Sequence, residues 1–194
     1  MRSFPEIPLA LATFALMAMP IAAQTERLGV AGPIAFEGQD YALAWSAQPS
    51  TDYFKQEYVP EGQLVETYEQ MFLVEAVTGP ISPRDAAASQ VRTLEARRGA
   101  DPVLNYQLMQ NESSGEVLLD FLISDLKADP VVVEWNAYRY VSLPSGEGVA
   151  LFAISKRGYG DDGARAFMAA LKDMRTEAIN ALAAYQLPKV TIAP

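Results

Sequence analysis

The chain contains neither cysteine nor histidine. Those two absences exclude disulfides, Ser-His-Asp and Cys-His nucleophiles, imidazole acid–base chemistry, and the Cys/His ligand sets of zinc, haem and iron–sulfur centres. Positive charge is scarce as well: 15 Lys and Arg stand against 24 Asp and Glu, a net charge of -9 in 194 residues. Phosphate backbones are bound by clustered Lys and Arg, and no such cluster occurs, so nucleic acid is not an expected partner. No D-x-[DN]-x-[DN]-G loop is present, and Asp161-Asp162-Gly163 supplies too few oxygens to hold calcium alone. The sequence therefore predicts no cofactor and no metal.

What is there begins with an export signal. Met1-Arg2 is followed by an apolar run from Leu9 to Met19, then Pro20-Ile21-Ala22-Ala23, then polar Gln24-Thr25-Glu26-Arg27. The apolar run is too short for a helix crossing a hydrocarbon core of roughly 30 Å, and Pro20 keeps the cleavage region extended. Residues 1–23 read as a signal peptide cut after Ala23, and removing them leaves no membrane span. Loss of Arg2 and Glu6 keeps the net charge at -9. An exported chain without cysteine fits a bacterial periplasm better than a disulfide-stapled extracellular scaffold.

Residues 24–40 read as an irregular lead-in with a short strand at Ile34–Phe36, and 41–190 as a single domain. Tyr41 to Ala47 and Tyr53 to Val59 form a hairpin about the turn Gln48–Asp52. The run Val65–Thr78 is read as a third strand. Ser82-Pro83-Arg84-Asp85 is a helix start, with a Ser cap, Pro at the first helical position and an acid three residues on. That helix should run to Arg98, where Gly99 stops it.

Strand-like runs follow at 103–110, 116–125, 131–143 and 149–156. Their separators are too short for crossover helices, so these strands must be antiparallel neighbours. After Gly160, Asp161 or Asp162 is expected to cap an amphipathic helix ended by Pro188. The expected fold is α+β: a single antiparallel β-sheet packed with two amphipathic helices, which lie on opposite faces or share one with loops.

One stretch carries a resemblance. Trp45, Tyr53-Phe54-Lys55-Gln56-Glu57-Tyr58-Val59-Pro60, Gly62 and Glu66-x-Tyr68-x-Gln70-Met71 resemble exported proteobacterial proteins of unassigned function that look like the Mog1/PsbP/DcrB group. The resemblance implies an α-β-α sandwich and an accessory or binding role, with no shared catalytic set.

Among motifs, Gly158-x-Gly160-x-x-Gly163 matches the dinucleotide fingerprint in letters, but Asp161 and Asp162 would face the pyrophosphate and no parallel strand follows. Ser124-Asp125-Leu126-Lys127 matches the S-x-x-K of serine–lysine hydrolases without its partner motifs. The more informative residues are polar groups interrupting apolar strands. Arg139 shares a face with Val131, Val133, Trp135, Ala137, Val141 and Leu143, and a guanidinium there requires a carboxylate or an anionic ligand. Asp120 likewise interrupts Val117–Ile123.

Pairing the odd face of 117–123 with the odd face of 131–137 would put Asp120 on the side opposite Arg139, so the two are not expected to bond each other. Arg139, Asp120, Trp135 and Tyr138 are the candidate ligand-binding residues. The functional expectation is a non-enzymatic periplasmic binding or accessory protein whose partner is an unknown small molecule or envelope protein. The alternatives are a cofactor-free hydrolase using carboxylates or Ser124/Lys127, and a peripheral envelope-structural protein. Intact-mass measurement of protein recovered from a periplasmic fraction should give a chain beginning at Gln24. Retention of residues 1–23 would refute the export reading.

Overall fold

The computed structural model describes residues 25–192, so residues 1–23, read above as a signal peptide, lie outside the described residues. Strands β1 (Ile34–Phe36), β2 (Gln39–Ser50), β3 (Tyr53–Val59) and β4 (Gln70–Thr78) lead into helix α1 (Pro83–Arg97). Strands β5 (Asn105–Gln110), β6 (Val117–Asp125), β7 (Val132–Ser142) and β8 (Gly148–Tyr159) lead into helix α2 (Gly160–Ala184). The sheet order is β1-β2-β3-β4-β8-β7-β6-β5, and every neighbouring pair is antiparallel. Two four-stranded meanders are thus joined at their last strands.

The α-β-α sandwich expected from the sequence is not what forms. The protein is mostly antiparallel β, an eight-stranded sheet curled into a half-barrel and accompanied by two helices. Strands spaced about 4.8 Å apart make a sheet roughly 34 Å across. α1, with 15 residues, is only about 22 Å long. Its main contacts are with β6–β8, and those of α2 with β7 and β8, so β1–β3 must bury their faces by curling. Register shifts in β2 between Leu43 and Trp45 and between Ala47 and Ser50 add the local twist that bending requires.

β8 lies in the middle, and all eight residues from Gly148 to Ser155 are buried. Its even positions Ala150, Phe152 and Ile154 join Phe72, Trp135 and the α2 residues Leu171, Ala178 and Leu182. Its odd positions Val149, Leu151 and Ala153 join Met71, Leu73, Phe121 and the α1 residues Ala87 and Leu94. Residues 24–40, read as a lead-in, contribute Leu28, Val30, Ile34 and Phe36 to the α2-side core. Thr191 N–H donates to the Leu28 carbonyl (2.8 Å), tying the two ends of the described chain together.

Local signals acted as the sequence predicts at α1. Ser82 Oγ accepts the Asp85 N–H (3.2 Å) and donates to Asp85 Oδ2 (2.6 Å), and Gly99 takes φ +91 just past the helix. At α2 the expectation fails: Tyr159 occupies the cap with no side-chain bond, and Asp161 and Asp162 lie in the first helical turn. There they complement the helix dipole without capping it. The run 65–78 is strand only from Gln70, because the chain turns twice through 61–67 before joining the sheet.

Gly148 (φ +125) opens β8, where a Cβ would stand 2.3 Å from the Val77 carbonyl oxygen. Backbone cannot yield as a side-chain tip can, and the torsion is itself unfavourable for other residues. Gly148→Ala should therefore lower stability in urea unfolding by about 2 kcal/mol or more. A cost under about 0.5 kcal/mol would contradict the packing described at the β4–β8 junction.

Candidate functional site

The β6–β7 register pairs Leu118 with Arg139, Asp120 with Ala137 and Leu122 with Trp135. Directly opposed residues share a face. Asp120, Trp135 and Arg139 therefore all point to the α2 side, against the parity expected from sequence. β6 is apolar on both faces, so alternation had no power to fix its register.

Asp120 and Arg139 are indeed unbonded to each other, but the reason is that each has its own partner. Asp120 is fully buried; its carboxylate receives Arg175 Nε (2.7 Å), Arg175 Nη2 (2.8 Å) and the Trp135 indole N–H (2.8 Å). Arg139 donates Nε and Nη2 to Glu116 Oε2 (3.1 and 2.9 Å), and Nη1 to the Leu182 and Tyr185 carbonyls (2.9 and 3.0 Å). It supplies the positive charge that the last turn of α2 lacks. These three residues hold α2 to the sheet. Tyr138, the fourth candidate, points to the other face.

Ser124 and Lys127 line one cleft beside Arg97 and Asp101, but no hydrogen bond joins them. Ser124 Oγ donates to Asp101 Oδ1 (2.7 Å) and its N–H to Asp101 Oδ2 (2.8 Å), while Arg97 Nη2 bridges Asp101 Oδ2 (3.2 Å) and the Ser124 carbonyl (2.8 Å). Burial opposes ionisation of Asp101, but the bonds from Ser124, Arg97 and the Val103 N–H hold its carboxyl below the usual range. Lys127 is exposed, and its N–H closes a turn on Asp125. Gly158 allows α2 to approach β8, since a Cβ there would meet Phe167 Cβ at 2.6 Å. The glycine spacing thus serves strand–helix packing.

The α1 face carries polar groups that the fold does not consume. Cross-strand pairs run Trp45–Glu57–Leu73–Ala153–Tyr138 in one row and Ala47–Lys55–Glu75–Leu151–Tyr140 in the next. α1 covers only the β6–β8 end of these rows, leaving a trough over β2–β4. Where trough and helix meet lies a cavity of about 250 Å³, with Glu75, Tyr138 and Tyr140 on the sheet side and Ser89, Gln90 and Thr93 on α1.

Glu75 accepts from Tyr53 OH (2.8 Å). Lys55 Nζ lies 2.8 Å from Glu57 and 3.8 Å from Glu75. Burial pushes the Glu75 carboxyl above its ordinary range in spite of Lys55 and Tyr53. Burial, and then the charge of Glu75, push Tyr138 and Tyr140 up, so both remain neutral hydroxyls. Tyr138 packs edge-on against Phe121 with ring centres 4.9 Å apart. The hydroxyls of Tyr138 and Tyr140 bond no other described residue, and neither oxygen is sealed off from the cavity.

Sequence reasoning missed Glu75, Lys55 and Tyr140. The signal was available at Glu75, the one charge in Met71–Thr78, and it is the same signal that picked out Asp120 and Arg139. A second polar cluster on this face is satisfied internally: Glu134 receives Arg157 (2.5 Å), Tyr68 OH (3.1 Å) and Asn136 Nδ2 (2.8 Å).

Fold and trough define a curled antiparallel β protein with a polar cavity under one helix. The chain belongs to an uncharacterised family, whose model matches residues 28–187. That match carries no link to the Mog1/PsbP/DcrB group. No curated protein matches the chain. Among the described residues, no helix is long and apolar enough to cross a membrane.

The two arginines on the α2 face should differ in weight. Arg175→Met strands a fully buried Asp120 and should cost about 3–5 kcal/mol. Arg139→Met leaves Glu116, 30% exposed, able to rehydrate, and should cost about 1–2 kcal/mol through the uncapped helix end. Urea unfolding of both variants checks the order, and equal costs would contradict this account.

Proposed function

We propose that this is a non-enzymatic binding protein of the bacterial periplasm that takes a small ligand in the cavity between α1 and β4–β8–β7. The observation carrying the reading is the cavity itself, whose wall carries the Glu75 carboxyl, which burial disfavours, and the Tyr138 and Tyr140 hydroxyls, which bond no other described residue. Hydroxyl and carboxyl oxygens on a cavity wall that are not spent on protein partners are open to a ligand in place of solvent. The likeness of residues 45–75 to exported proteobacterial proteins supports export and an accessory role, and the signal-like N-terminus supports the compartment.

A hydrolase reading has less support. Ser124 spends its proton on Asp101, and Glu57 and Glu75 share Lys55, leaving no base poised on an exposed hydroxyl in either cluster.

Ala86 lines the cavity from α1, and Ala86→Phe should fill it from a helical position that tolerates a larger residue. In a thermal-shift screen of periplasmic small molecules, wild type should gain melting temperature with at least one compound, since binding to the folded state alone stabilises. The Phe variant, native by circular dichroism, should not respond. A screen in which every stabilising compound acts equally on both proteins would overturn the assignment of this cavity.

A further inference from the structure

The cavity's own chemistry narrows its ligand class. Glu75 is the one charged side chain among the residues lining it; the rest are hydroxyls, one amide and the apolar walls Val77, Ile81, Val149 and Leu151. The Glu75 side chain is 16% exposed, and Tyr53 OH (2.8 Å) is its only hydrogen-bond donor among the described residues. Lys55 is shared between Glu57 (2.8 Å) and Glu75 (3.8 Å), so two carboxyls face one ammonium. Burial raises the Glu75 carboxyl against the opposing effects of Lys55 and the Tyr53 hydroxyl.

An anion entering here would meet an uncompensated carboxylate, and a neutral polyol would leave that charge as it found it. A cation with N–H donors meets Glu75, the free oxygens of Tyr138 and Tyr140, and two aromatic rings whose faces attract positive charge. Resting on the binding reading above, we propose that the group held in this cavity is an organic cation, an ammonium or guanidinium carried on a short aliphatic stem.

Size and charge agree with that class. A volume of about 250 Å³ lies below the roughly 300–1,000 Å³ of pockets that enclose whole drug-sized ligands, so it suits a head group and its stem. The stem lies along the apolar walls. Anything longer continues over the trough, where Trp45, 36% exposed and paired across the strands with Glu57, offers a stacking face. The net charge of -9 raises the local concentration of cations and makes their capture salt-dependent.

The test uses the chain lacking residues 1–23 and isothermal titration with four probes: 1,4-diaminobutane, agmatine, 1,4-butanediol and succinate. The two cations should bind, and the diol and the dicarboxylate should not. Glu75→Gln should weaken cation binding at least tenfold, which is about 1.4 kcal/mol. That variant removes a desolvated carboxylate, so it should melt no lower than wild type, which separates lost binding from lost folding. Tyr140→Phe should weaken binding less, and Ala86→Phe should abolish it.

Cation affinity unchanged in Glu75→Gln would overturn the proposal. So would binding of the diol or succinate that Ala86→Phe blocks while neither cation binds; that outcome leaves the cavity reading intact. If no probe of any class gives heat that Ala86→Phe removes, the cation proposal fails together with the cavity on which it rests.

Discussion

The pairing of β4 with β8 is the interaction on which everything else rests. Nine residue pairs, from Gln70–Lys156 to Thr78–Gly148, join the two meanders into one sheet. Local hairpins form at small entropic cost, whereas this pairing closes a long loop and needs compensation from burial. It obtains it from both faces, since β8 carries Phe152 and Ile154 to one core and Leu151 and Ala153 to the other. Each helix then rests on the face this strand presents to it, and Glu75 enters the cavity because β4 is held beside β8.

The two faces use charge in opposite ways. Toward α2, Asp120 and Arg175 are buried together and the indole of Trp135 takes part of the remaining carboxylate capacity. Such pairs are costly to break and nearly neutral to replace by apolar groups, so they give α2 a defined position more than they give stability. Arg139 adds a cation at the end of α2 where carbonyls are left over. Toward α1, Lys55, Glu57 and Glu75 form an unbalanced triad and two tyrosine hydroxyls go unpaired. Polar groups closed on one another organise a fold; polar groups left open are available to something outside it.

Much of this was legible in the sequence where the signal was local. Ser82-Pro83 and Gly99 bracket α1 because capping and left-handed torsions are decided within a turn. The short separators at 111–115, 126–130 and 144–147 fixed β5 to β8 as antiparallel neighbours because the chain has no length for a crossover. Legibility ended where strands were apolar on both faces. Leu118, Leu119, Phe121 and Leu122 give no preferred side, so the expected parity of Asp120 against Arg139 was inverted. The sandwich expectation failed for a related reason. Two helices can be counted from periodicity, but how much of an eight-stranded sheet they cover depends on widths and curvature that no short window contains.

The α1 face also shows why its open end belongs where it does. A helix too short to cross the sheet leaves β2–β4 to be covered by side chains alone, and Val or Leu at position 75 would do this better than a carboxylate. Leu73 and Val77, its neighbours on the same face, are that kind of residue. Glu75 instead brings a desolvation cost that Tyr53 and Lys55 only partly offset. In return its charge, together with that of Glu57, favours the Lys55 ammonium, which burial opposes. Tyr53 and Lys55 hold the carboxylate on the cavity wall, and the capacity they leave unused is what it presents to the space under α1.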